Sequence, residues 1–140
     1  MLWHLVGRGI LQLPTRKPEV HTLLTLIALL TCICSPPNQT FDLKSFSYAC
    51  NAGIPQPECA IRMFGFKENE KVVKRTIIFP RLDPGHFPNE FVMNRTTFNG
   101  EWKDLKSVGF STVIADNGED FNGGLMLDDV KYVVNEKVCS

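Results

Sequence analysis

A chain of 140 residues allows one domain with one hydrophobic core of modest size. Its 15 lysines and arginines equal its 15 aspartates and glutamates, so no net field would draw it to nucleic acid or to an anionic membrane surface. Ten phenylalanines, nine prolines and ten glycines favour many short strands broken by turns over a helical bundle, and an all-β fold is expected.

Residues 1–35 read as a leader and 36–140 as the folded domain. Leu23 to Cys34 is an uncharged apolar run, preceded by Arg8, Arg16 and Lys17 and followed by Ser35-Pro36-Pro37. A membrane-spanning helix needs about 20 apolar residues, so the run is short for a span and suits the apolar core of a secretory signal. An apolar helical leader, cleaved near Thr31 to Ser35, is therefore expected, and with it a secreted protein. Pro14 and Pro18 interrupt the basic stretch, which leaves an uncleaved signal anchor or a misplaced start as alternatives; a membrane would be reached only through such an uncleaved leader. A buried core helix is disfavoured because no polar face balances the run.

Asn38-Gln39-Thr40 and Asn94-Arg95-Thr96 fit the N-glycosylation acceptor pattern, which suits the secretory route. Cys50 and Cys59 flank a Gly-Ile-Pro-Gln-Pro loop that would bring two strand ends together. A disulfide there would contribute about 2 to 3 kcal/mol by closing the loop; two buried free thiols are the alternative. Cys32, Cys34 and Cys139 remain without an assigned pairing, and their spacings do not match a zinc site.

From Thr40 onward the chain parses into strands. Around Phe41, Leu43 and Tyr48 the alternation breaks near Ser45, which predicts a bend or bulge. Cys59 to Lys67 alternates, with Ile61 and Met63 on one face and Ala60, Arg62, Phe64 and Phe66 on the other. Lys67 to Lys71 is a charged turn, Val72 to Phe79 its hairpin partner, and Pro80 the stop. Arg81 to Asn89 reads as a loop around His86, and Phe91 to Phe98 as a weaker strand. Leu105 to Ile114 places Val108, Phe110, Thr112 and Ile114 on one face. The last strand, Leu125 to Val134, turns Leu125, Leu127, Val130, Tyr132 and Val134 to one side, and Asp128-Asp129 shifts its period by one, implying a bulge.

Phe41-Asp42-Leu43-Lys44-Ser45-Phe46, the Cys50 and Cys59 pair, Gly65-Phe66, Trp102 with Leu105-Lys106-Ser107-Val108, and Gly124-Leu125 with Leu127-Asp128-Asp129-Val130 carry a resemblance. In that order they resemble a group of uncharacterised secreted fungal proteins and, more distantly, β-sandwich carbohydrate-binding modules of the galactose-binding-like, jelly-roll kind. The resemblance runs from about Pro36 to Val134. It implies an antiparallel β-sandwich, and a further N-terminal strand of those domains is expected to be missing here. A sandwich without it would present an exposed edge.

The acidic residues Asp116, Glu119, Asp120, Asp128 and Asp129 form the first candidate site. In sugar-binding modules of the resembled kind an aspartate at the Leu-Asp-Asp-Val position helps hold a structural calcium ion, which the resemblance implies for Asp128 or Asp129, with Asp120 as a further ligand. Calcium takes six to eight oxygens, and the EF-hand pattern is not matched here; a solvated acidic turn is the alternative. Trp102, Tyr48, Phe87 and Phe91 are the candidates for a sugar-stacking platform, although a tryptophan before a strand more often plugs the end of a sandwich.

The leading expectation is a secreted, non-catalytic module that binds carbohydrate, such as a cell-wall polysaccharide or cell-surface glycan. A structural or interaction protein of the extracellular surface is the first alternative. A small glycan-active hydrolase is the second; it would need two opposed carboxylates, for example Glu58 with Asp120, and the chain has no Gly-x-Ser-x-Gly elbow or His-Glu-x-x-His pair.

Overall fold

The computed structural model describes residues 10–12, 20–23, 26–27, 32–35, 38–51, 56–81 and 93–136. Period-two alternation of large apolar and polar residues governs what these segments form. The strands are β1 (Ile10–Gln12), β2 (Val20–Leu23), β3 (Leu26–Ile27), β4 (Cys32–Cys34), β5 (Gln39–Asn51), β6 (Cys59–Lys67), β7 (Val72–Phe79), β8 (Asn94–Thr97), β9 (Leu105–Ile114) and β10 (Gly124–Glu136). One 3-10 turn, Gly100–Trp102, interrupts them.

The strands form one curled sheet whose pairings are antiparallel except for β1 with β4. One part runs β8, β5, β10, with β2 and β3 on the far edge of β10; the other runs β7, β6, β9, β4, β1. The parts meet where Phe41 of β5 pairs with Leu105 of β9. They are clamped by the Cys50–Cys59 disulfide, which joins the end of β5 to the start of β6 across a Cα separation of 6.4 Å. The result is the expected all-β, sandwich-like fold.

Alternation places the core. On β6, Ile61 and Met63 are buried while Arg62 and Phe66 are exposed. On β10, Leu125, Leu127, Val130, Tyr132 and Val134 all turn inward, and the expected phase shift falls between Leu127 and Val130. Its cause is a bulge: Asp128 pairs with Ser47 and Lys131 with Ser45, which leaves one extra residue in β10. Tyr132 then pairs with Leu43, so Lys44 is extra in β5 and the two offsets cancel. The break near Ser45 and the shift at Asp128-Asp129 are two sides of one feature. Asp129 takes a φ of 47° there, a left-handed conformation that a short polar side chain tolerates better than a branched apolar one.

The leader differs from expectation. Within its apolar run the described residues Leu23, Leu26, Ile27 and Cys32 to Cys34 lie in strands, while the remaining positions lie outside the described residues. The reason is pairing: β4 lies against Cys32↔Gly109, Ile33↔Val108 and Cys34↔Ser107 of β9, and Ile33 is buried in the core. A β-branched apolar residue suits a strand buried on one face at least as well as a helix. The packed unit therefore takes in residues upstream of the boundary expected at Pro36. Cys34 is also disulfide-bonded.

Candidate functional site

Among the described residues β7 pairs only with β6, and β8 only with β5. Side chains rather than a ladder cross from β7 to the other part of the sheet. The Tyr48 hydroxyl donates to the Ile78 carbonyl at 2.9 Å, and Arg75 Nη1 donates to the Thr97 carbonyl at 2.6 Å. Beside these bonds lies an open groove of about 460 Å³, lined by Lys74 and Arg75 of β7, Thr97 of β8, and Phe98, Asn99, Glu101 and Trp102 beyond it.

The segment after β8 builds the groove floor. Phe98 N–H donates to the Lys44 carbonyl at 2.8 Å, which extends the pairing of β8 with β5 by one residue. Asn99 then caps the 3-10 turn: its side-chain oxygen accepts from the Glu101 amide at 3.1 Å, satisfying a donor that the turn leaves free. That turn drives Trp102 into the core and leaves Glu101 on the surface. Asp104, at φ 55°, redirects the chain into β9, and its amide donates to Asp42 Oδ1 at 3.1 Å.

Aromatic rings support this floor from below. Phe79, Tyr48 and Phe46 meet edge to face at centroid distances of 6.2 and 6.1 Å; Phe46 touches Phe98 at 5.2 Å, and Phe98 touches Trp102 at 5.0 Å. The Arg75 guanidinium sits 5.1 Å from the Phe98 centroid, close enough for a cation-π contact. Phe98 is thus partly buried, packed against Phe46, Trp102 and Arg75. Charge is uneven around the groove even though the chain is neutral as a whole. The groove lining sets two cations, Lys74 and Arg75, against one carboxylate, Glu101.

Of the four aromatics expected to form a platform, Trp102 is 3% exposed and Tyr48 is 6% exposed, so both belong to the core. Trp102 is the plug that its position before a strand suggests, and it borders the groove while buried. Tyr48 is held by its bond to Ile78. Phe87 and Phe91, like His86, lie outside the described residues. Asn38 is exposed in the turn before β5 with a φ of 64°, and Asn94 opens β8 half-buried; the acceptor-triplet threonines Thr40 and Thr96 are both buried. Glu58 and Asp120 flank β9: the Glu58 carbonyl accepts from Ala115 N–H, whereas Asp120 bridges to Val113 from the opposite edge. Two strand spacings, roughly 10 Å, separate their backbones.

Of the three aspartates expected to hold calcium, Asp128 and Asp129 lie in β10 and Asp120 stands beside β9. Asp129 accepts a hydrogen bond from Arg95 Nη1, and Lys131 Nζ stands 3.9 Å from the same oxygen. Asp128 Oδ1 accepts from the Asp129 amide at 2.7 Å, and exposed Asp120 is attached to β9. Among the described residues no group of three or more histidines, cysteines or acids is placed to hold a metal. An ion at Asp129 would have to displace a guanidinium and sit beside an ammonium.

Sequence reasoning missed Lys74, Arg75, Phe98, Asn99 and Glu101. Asn99-Gly100 before Trp102 was the available signal, since Asn favours the capping position of a short helical turn. The Arg75 contact to Thr97 spans 22 positions and has no local signature.

The fold and groove define an all-β, sandwich-like domain with an open polar cleft beside the edge of β7. No family model matches the chain, and comparisons with curated proteins and with solved structures give no match.

Proposed function

We propose that this protein is a secreted, non-catalytic binding module for carbohydrate, and that the ligand lies in the groove between β7 and the segment that follows β8. The observation that carries this reading is the lining itself. Lys74, Arg75, Asn99 and Glu101 offer charged donors, an amide and a carboxylate along an open trough of about 460 Å³. Hydroxyl-rich ligands are recognised by converging donors and acceptors of these types. The aromatic floor holds that segment in place, so the polar groups would meet a ligand with little ordering cost. The resemblance to sugar-binding sandwiches points the same way.

The test is retention of the purified full chain on chitin, β-glucan, mannan, cellulose and acidic polysaccharides. Retention on a polymer, reduced by Asn99→Ala with Glu101→Ala, supports the reading. No retention on any of them by folded protein overturns it.

A second reading rests on a separate observation. Phe66, Val72 and Ile78, the large apolar residues that are exposed among those described, all lie on the outer face of the β6–β7 hairpin. Phe66 and Val72 pair directly at one end of that face, and this exposed apolar pair favours a protein-interaction role at the extracellular surface.

A further inference from the structure

We infer that the carbohydrate taken by this groove is acidic, carrying carboxylate or sulfate groups, and that Lys74 and Arg75 are the residues that recognise its charge. The inference rests on the binding-module reading and narrows it. Neutral pyranoses are commonly held by laying their apolar face on an open aromatic ring, and no fully exposed ring lines the described groove. Trp102 is 3% exposed, and the partly buried Phe98 has the Arg75 guanidinium 5.1 Å from its ring centroid, so the cation rather than a sugar takes that face. Affinity must then come from polar contacts, and the strong ones are charge-assisted.

The lining sets two cations against one carboxylate, Glu101. Both cations come from the β6–β7 hairpin, whose stretch from Cys59 to Arg81 carries six cations and two glutamates. Arg75 is also held in place. One of its nitrogens donates to the Thr97 carbonyl, and its plane lies near the Phe98 ring. A guanidinium has five N–H donors in a fixed fork, so one bond to a carbonyl leaves donors for a planar carboxylate or a sulfate. Lys74 stands on the outer face of β7, with its ammonium 5.9 Å from the Phe64 ring, and borders the groove only at its outer edge, while Arg75 faces inward. It supplies a point charge at the rim of the groove. Glu101 on the far side would repel a second anionic group placed there, which favours a ligand whose charges alternate with neutral hydroxyls.

The experiment compares binding of the full chain to polygalacturonate and dextran sulfate, to neutral dextran, β-glucan and chitin, and to polyglutamate as a polyanion without sugar. Salt is varied throughout, because contacts between exposed charges weaken once the screening length falls below about 8 Å. The expected result is binding to an acidic polysaccharide over its neutral counterparts and over polyglutamate, weakening with salt, and about tenfold weaker in Lys74→Glu. Lys74→Arg should retain it. Because Lys74 is exposed, the variant should fold, and an unchanged melting temperature checks this. Preference for neutral polymers would overturn the acidic assignment while leaving the binding module standing. Equal binding to polyglutamate, or acidic binding that Lys74→Glu leaves unchanged, would overturn the recognition site. No polysaccharide bound by folded protein would overturn both the inference and the reading beneath it.

Discussion

Arg95 on β8 reaches across β5 to the carboxylate of Asp129 in the β10 bulge, while its other terminal nitrogen donates to Ser45 Oγ at 2.8 Å. β8 and β10 are not neighbours in the sheet; each pairs with an opposite edge of β5. One guanidinium therefore ties three strands together at the point where the ladder of β5 and β10 is irregular.

This tie should be visible in the acid limb of stability. The hydrogen bond from Arg95 holds the Asp129 carboxyl below its ordinary value, aided by the charges of Lys131 and Arg95 and opposed by partial desolvation. A carboxyl with a depressed folded pKa contributes stability above its unfolded pKa and loses it as pH falls through the folded one. Asp129→Asn keeps a residue that tolerates the left-handed φ and removes only the charge. Denaturant melts should show the variant less stable than the parent at neutral pH. The gap should close below pH 3.8, the ordinary value for this group. A gap that persists in strong acid would assign the loss to bulge geometry instead.

Gly65 is a packing requirement. A Cβ at this position would stand 2.7 Å from Val73 Cγ2 and 3.0 Å from both Leu105 Cδ2 and Trp102 Cζ3. Val73 is β-branched and stiff, and the other two atoms belong to buried residues, so none can withdraw cheaply. Gly65→Ala should cost about 1 to 3 kcal/mol by overpacking, measured from urea midpoints. In Gly65→Ala combined with Val73→Ala much of that loss should be recovered, since the closest clash is removed.

Local signals account for what was legible. Cys59 to Lys67, Val72 to Phe79 and Leu105 to Ile114 are strands with the bounds their alternation predicts, and the inward set on β10 follows from its pattern once the Asp128-Asp129 shift is counted. The site was not legible, for a physical reason. Arg75, Thr97, Phe98 and Trp102 come together only when the sheet curls, and nothing in their neighbouring residues records that approach. Trp102 and Tyr48, two of the aromatics expected to form a platform, instead fill the end and flank of the core. The leader is ambiguous for a related reason: a short apolar run has no period, so it suits a signal helix and a buried strand equally.

Tyr132 gives the alkaline counterpart of Asp129. It is buried edge-on against Phe41 at a centroid distance of 6.5 Å, and burial pushes its phenol up to about 12 from the ordinary 10. The unfolded chain then ionises before the folded one, so this contribution is intact below pH 10 and is lost as pH rises toward about 12. Absorbance titration should show a phenol that ionises near that upper value while the fold persists. Tyr132→Phe should flatten the fall in stability above pH 10, taken as the unfolded value for this side chain.

Ile33 decides whether the upstream strand belongs to the working protein. It is 1% exposed, paired with Val108 and packed in the central cluster. Ile33→Ala in the full chain should therefore lower stability by about 2 to 5 kcal/mol, the range for an isoleucine emptied from a core. Cleavage of a secretory leader near Ser35 would remove this residue, strip β4 from β9 and expose the edge beside Val108. Mass spectrometry of the exported protein fixes the first residue, and denaturant melts of parent and variant from the same preparation fix the energetic cost. A first residue upstream of Cys32 together with a destabilised variant would make β4 part of the mature fold. A first residue beyond Cys34 with equal melts would show that the exported domain is stable without it, because the altered position would have left with the leader.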